Sequence, residues 1–222
     1  MKNILLGLII SVMSIPAFAG SFNGNVSYNS DYVWRGVSQT QGKSSVHLQG
    51  EVISDLGFYA GFYGATIDIS GEYFSGLNHL DTDVELDYYA GYDLQVSDNI
   101  ALDVGYVRYT YDALIESFEE VYAILSIGNF TVEGYQDIET NDNYAQLSYE
   151  FGWLVGNTFD LRLIHGLHDL EGTEDFTQLR VGKLFGANQN WDFGVTVGQD
   201  VFEGKTMDSV FASLTYNFGR SF

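Results

Sequence analysis

From residue 22 to residue 39 the chain reads FNGNVSYNSDYVWRGVSQ, and apolar and polar positions alternate along it. Phe22, Gly24, Val26, Tyr28, Ser30, Tyr32 and Trp34 fall on one side, and Asn23, Asn25, Ser27, Asn29, Asp31 and Arg35 on the other. Strand side chains point alternately to opposite faces, so the period of two predicts a strand with one apolar and one polar face. Strands of soluble domains average about 5–6 residues, and a strand that crosses a bilayer needs roughly 9–11. The length of this stretch favours the second kind.

The same alternation recurs to the C-terminus, with segments predicted at 43–54, 58–69, 83–94, 100–111, 119–127, 130–137, 143–151, 157–167, 176–185, 191–199 and 207–218. Segment 83–94 is the clearest. Val84, Leu86, Tyr88, Ala90, Tyr92 and Leu94 face one way, and Asp83, Glu85, Asp87 and Asp93 the other. Segment 58–69 (FYAGFYGATIDI) is apolar on both faces and its orientation stays open. Turn residues at Asp55-Leu56-Gly57, Ser97-Asp98-Asn99 and Gly128-Asn129 alternate with longer connections at 70–82, 112–118, 168–175 and 200–206. Twelve segments, joined by short turns at one end and longer loops at the other, predict an all-β, antiparallel up-and-down transmembrane barrel. Both ends of the mature chain then sit on the periplasmic side. A soluble β-sandwich also alternates, but its strands are shorter and its turns usually hold proline.

Composition sharpens this reading. Lys2, the apolar run Ile4 to Met13 and the sequence Ala17-Phe18-Ala19 form a secretory signal peptide over residues 1–19, leaving a single domain at 20–222. The only proline, Pro16, lies in that leader, so nothing in the mature chain interrupts a strand ladder. There is no cysteine, and no apolar run long enough for a membrane helix, so a membrane form must be a closed barrel. The net charge of -21 excludes nucleic acid as a partner. Aromatics form 16% of the chain, enough for two interfacial girdles. Phe22, Phe58, Tyr149, Phe151, Phe159, Phe185, Trp191, Phe193, Tyr216 and Phe218 are expected at the periplasmic strand ends, and Tyr32, Trp34 and Tyr106 at the outer ends.

SDYVWRGVSQTQGKSSVHLQG at 30–50, with SDLGFYAGFYG at 54–64, resembles the TorF family of predicted porins, also catalogued as the Gcw_chp proteins of unknown function. VELDYYAGYDL at 84–94 and ALDVGYVRYTYD at 101–112 are similar to that family too. The resemblance implies a secreted outer-membrane barrel with a role in transport, and no established substrate or site residues. The end of the chain also resembles an outer-membrane assembly signal, with Tyr216 and Phe218 in step and Phe222 as the terminal aromatic. The implied partners are the barrel assembly machinery, outer-membrane lipid and lipopolysaccharide.

If the apolar faces meet lipid, the polar faces line the lumen. The carboxylates expected there are Asp31, Glu51, Asp83, Glu85, Asp87, Asp103, Glu120, Glu133, Glu150, Asp160 and Asp192, and the cations are Arg35, Arg162 and Arg180, with Lys43 near the mouth. Neighbours in the Asp83–Glu85–Asp87 row lie about 7 Å apart and repel by roughly 2 kcal/mol at an effective dielectric of 20. Water, mobile cations or arginines must screen such a row. The reading is a passive channel for small hydrophilic solutes with a cation-preferring lumen. The alternative is a plugged barrel acting as a lipid hydrolase or a structural, surface-interaction protein. For a hydrolase, His165 and His168 beside Asp169 are the candidates, but no nucleophile motif accompanies them. The acidic loops 116–120 and 171–175 lack the spacing of a calcium loop. No catalytic, cofactor or metal residues are assigned.

Overall fold

The computed structural model describes residues 20–69, 82–112, 117–152, 159–169, 175–186, 188–202 and 205–221. The expected leader at 1–19, most of the 70–82 loop, Phe222 and His79 lie outside these residues. Twelve strands close into one antiparallel barrel: β1 (Gly20–Asn29), β4 (Ser45–Ser54), β5 (Phe58–Ile69), β6 (Thr82–Ser97), β7 (Ile100–Tyr111), β8 (Phe118–Ile127), β9 (Phe130–Asp137), β10 (Asn143–Glu150), β11 (Asp160–His168), β12 (Phe176–Phe185), β13 (Trp191–Phe202) and β14 (Lys205–Ser221). Two short strands, β2 (Val33–Trp34) and β3 (Val37–Ser38), form a separate hairpin. Each barrel strand pairs with its sequence neighbours, and β14 closes the ring on β1 from Ser21↔Ser221 to Asn29↔Ser213. Closure leaves no edge strand in the described barrel wall, as lipid demands.

The exposure pattern runs opposite to that of a soluble domain. Val46, Val84, Val121, Leu147, Leu163, Val181, Val197 and Val210 are exposed, each on the outward side of its strand. Burial is concentrated inside the barrel, where Tyr32, Ala65 and Ile67 form a core packed by Trp34, Tyr63 and Tyr111. A band of touching rings encircles the turn end: Phe22 with Phe218, Phe58 with Tyr92, Phe130 with Tyr149, Tyr149 with Phe151, and Phe185 with Trp191 and Tyr216 in succession.

Eleven barrel strands begin and end within three residues of the predicted segments, and the first segment does not. β1 stops at Asn29, and residues 30–44 leave the barrel wall and fold inward. Tyr32 and Trp34, expected in the outer girdle, therefore lie inside the barrel. The last connection also differs. β13 and β14 stay paired out to Phe202↔Lys205, so most of the expected 200–206 loop is strand. The tail after Phe218 is likewise part of β14, which runs to Ser221. The orientation of 58–69 is decided by register. Tyr63 lies opposite Gln49 and Asp87, which puts Tyr59, Gly61, Tyr63 and Ala65 inside.

Candidate functional site

The inward segment is built around a two-residue turn. Val33 pairs with Ser38 and Trp34 with Val37, leaving Arg35 and Gly36 at the tip with φ of +49° and +79°. A turn with both central residues at positive φ is type I′, whose twist suits a tight hairpin. Gly36 also lies so close to Phe176 that an added Cβ would come within 2.6 Å of its ring. At the base, the Asp31 carboxylate accepts from the hydroxyls of Ser38 (2.6 Å) and Thr40 (2.7 Å), and the Gln39 amide donates to the Tyr32 carbonyl (2.6 Å). Lys43 is ion-paired with Asp68 beyond the end of the hairpin.

This hairpin crosses the bore at the loop end. On one side Tyr32 packs edge-on against His47 of β4, 4.6 Å between centroids, and near Tyr63 of β5. On the other, Arg35 makes a two-pronged ion pair with Glu120 of β8, both contacts at 2.7 Å. The guanidinium lies 4.5 Å from the ring centre of Tyr135 on β9 and 4.3 Å from those of Tyr144 on β10 and Trp34. His168 Nε2 of β11 donates to the Arg35 carbonyl (2.9 Å). β5 and β10 are separated by four strands one way and six the other, so the hairpin spans the barrel. The Arg35 and Glu120 side chains are only 10% and 6% exposed. Burial is the largest single influence and works against the Arg35 charge, but the hydrogen bonds to Glu120 and the electrostatic pull of Tyr109, Glu120 and Tyr135 together outweigh it and raise the guanidinium's pKa.

The inner wall carries tyrosines and carboxylates, both beside the hairpin and toward the turn end. Tyr59 donates to Asp103 (2.5 Å), Tyr109 to Glu120 (2.9 Å), Tyr111 to Glu85 (3.3 Å) and Tyr135 to Glu133 (3.2 Å). Room for these rings comes partly from facing glycines; a Cβ on Gly91 would come 2.2 Å from the Tyr59 hydroxyl. The two other lumen arginines sit on carboxylates. Arg180 of β12 bridges Asp160 (2.6 Å) and Asp192 (2.5 Å), and Arg162 of β11 pairs with Glu150 (2.5 Å). Among the described residues no basic side chain pairs with Glu51, Glu85, Asp87, Asp103 or Glu133. One oxygen each of Glu85 and Asp87 is buried with no protein partner. A cavity of about 470 Å³ opens at the turn end, lined by Asn23, Asn25, Gln49, Glu51, Asn190 and Asn217.

The structure thus distributes the expected lining residues unevenly. Glu51, Glu85, Asp87, Asp103, Glu120, Glu133, Glu150, Asp160, Arg162, Arg180 and Asp192 lie on inward positions of strands. Asp83 is exposed at the loop end of β6, so the expected row of three carboxylates is a buried pair with an exposed neighbour. Asp31 and Arg35 belong to the inward segment and not to a wall strand. The residues missed were the aromatics of the site, Tyr59, Tyr63, Tyr135 and Tyr144. A tyrosine is read as apolar in a period-of-two pattern, and only the strand register shows which side it takes.

His165 and His168 do not form a pair. His165 lies on the outward face with Leu163 and Leu167 and contacts Thr177 Oγ1 at 2.9 Å, whereas His168 points inward to Arg35. Their separation by three positions on a strand puts them on opposite faces. The two candidates of the alternative, hydrolytic reading therefore share no centre.

A family model described as "Bacterial protein of unknown function (Gcw_chp)" matches residues 15–212. The chain belongs to the Gcw_chp family. The Gcw_chp barrel is also similar to solved structures. The KdgM porin superposes with a TM-score of 0.56 at 9% identity, covering 91% of this chain and 99% of that one. A KdgM porin in complex with disordered oligogalacturonate gives 0.54 at 9% identity, with the same coverage. At such identity the likeness concerns the fold, a closed twelve-strand barrel of the outer-membrane porin type. No curated protein matches this Gcw_chp chain. Neither the family nor the solved structures point to an enzyme.

Proposed function

We propose that the protein is a passive outer-membrane channel for small hydrophilic solutes, constricted by the folded-in hairpin and selective for cations. The observation that carries the charge preference is the pairing pattern. All three lumen arginines are engaged by carboxylates, while Glu51, Glu85, Asp87, Asp103 and Glu133 have no basic partner among the described residues. The field in the bore is therefore negative, and low-dielectric walls concentrate it. Oligogalacturonate, the polyanion held by one of the similar KdgM structures, would be repelled by such a wall. The apolar exterior suits outer-membrane lipid, with lipopolysaccharide at the loop end. Tyr216 and Phe218 on the outer face of β14 suit recognition by the barrel assembly machinery.

The test is single-channel recording of the refolded mature protein in a planar bilayer under a KCl gradient. Discrete steps with a reversal potential on the potassium side are expected. Anion preference would overturn the charge reading. A folded barrel that passes no current would favour a plugged structural protein, with the hairpin as the plug.

A further inference from the structure

Arg35 is enclosed in a way that the other arginines are not. Among the described residues it is the only arginine with aromatic rings over its guanidinium. Arg162 and Arg180 meet carboxylates alone. Two of the rings around Arg35, Tyr135 and Tyr144, and the carboxylate of Glu120 belong to the barrel wall. Trp34 alone comes from the hairpin. Glu120 Oε2 is also held by the Tyr109 hydroxyl at 2.9 Å, so the wall strands β7 to β10 orient the acceptor without help from the hairpin.

We propose that Glu120, Tyr109, Tyr135 and Tyr144 form a recognition site for guanidinium-bearing solutes, and that Arg35 fills it as a tethered competitor. The proposal rests on the channel reading above and names a solute class for it. The chemistry is specific. Two parallel contacts of 2.7 Å match the planar fork of a guanidinium to both oxygens of one carboxylate. The ring centres of Tyr135 and Tyr144 lie 4.5 and 4.3 Å from its central carbon, within cation–π range. A compact ammonium offers neither a planar fork nor a flat face, and a hydrated alkali ion has no use for the rings. The tether also looks displaceable in physical terms. Arg35 holds its backbone at φ +49°, in the left-handed region that disfavours a residue with a Cβ, and withdrawal of the tip relieves it. A short tether supplies an effective concentration in the roughly millimolar range, so a free solute competes only at that level or above.

The experiment uses the full mature protein in planar bilayers, with guanidinium chloride as probe and methylammonium chloride as control. In the native protein, guanidinium at millimolar concentration and above is expected to raise the open-channel current saturably, as the tip is displaced. In Arg35→Ala the current starts higher and guanidinium lowers it, with a half-effect at a concentration about tenfold lower. Adding Glu120→Gln to that variant abolishes the block. If Arg35→Ala fails to fold, Glu120→Gln in the native background serves, and is expected to lose the response. Guanidinium acting no differently from methylammonium in conducting channels overturns the site and leaves the channel standing. If no variant conducts, the channel reading fails. The site is then read by thermal unfolding: millimolar guanidinium should raise the midpoint of Arg35→Ala but not of Arg35→Ala/Glu120→Gln, and equal responses overturn it.

Discussion

At the scale of single residues, the hairpin tip concentrates the demands on sequence. Gly36 combines a left-handed backbone with a wall that leaves no room for a side chain, while Gly42 has the same sign of φ and open space around it. Gly36→Ala is therefore expected to unseat the tip from Phe176, adding a clash to a conformational cost of about 1 kcal/mol, whereas Gly42→Ala carries the conformational cost alone. Limited proteolysis between residues 30 and 44 distinguishes them, with cleavage faster in Gly36→Ala than in Gly42→Ala and the barrel itself intact in both. Glu120 makes a different demand. Removing its charge leaves a buried guanidinium without a counter-charge, a change that costs about 3–5 kcal/mol. In Glu120→Gln that loss should fall on hairpin seating, read as noisier current, and much less on the closure of the twelve strands.

At the scale of elements, the strand pairs hold the wall and a few side chains hold the loop end. Asp112, just beyond β7, accepts from the Thr82 hydroxyl (2.7 Å) and the amides of Asp83 (3.1 Å) and Val84 (3.2 Å), and so fastens the start of β6 to the end of β7. Burial is the largest single influence and pushes its carboxyl up, but these donors together outweigh it and hold the group below the usual carboxylate range. A depressed folded pKa stabilises above the unfolded value, about 3.9, and the stabilisation is lost as pH falls through the folded value. Asp112→Ala is thus expected to melt earlier than the native protein at pH 7, with the gap closing once the pH drops below about 4. Thermal unfolding of both proteins across pH 2–7 measures it (~5 pH units, spanning the ordinary carboxylate value).

At the scale of the whole molecule, the property that matters is the field inside the bore. Charges on the lumen wall act on mobile ions over a Debye length, about 10 Å at 0.1 M salt and 3 Å at 1 M. Cation selectivity is expected to be strong at 0.1 M KCl and much weaker at 1 M, as reversal potentials would show. A selectivity independent of salt would place its origin in short-range contacts at the hairpin and not in the carboxylates of the wall. The apolar exterior and the ring band at the turn end lie outside the bore, and neither contributes to this field.

Much of the architecture was legible in the chain because a strand's faces are written at a period of two, and a membrane barrel must show apolar residues on one face and polar on the other. Eleven strands, the short-turn positions and most of the inward carboxylates follow from that pattern alone; Asp31 and Asp83 do not. The pattern misleads where a segment alternates without being wall. Residues 30–39 continue the rhythm of β1, yet Arg35 and Gly36 break it with positive φ, a signal the Arg-Gly pair carries only weakly in sequence. The faces of Tyr59 and Tyr63 were also undetermined, since a tyrosine fits lipid interface and wet lumen alike until register places it opposite Asp87 or Gln49. Alternation, segment length and the placing of charges are local properties, and they suffice for a closed barrel with carboxylates on its inner face. Only the tertiary structure decided that the first connection crosses the bore and sets Arg35 on Glu120, 85 positions away, because that contact depends on how twelve strands close into a ring.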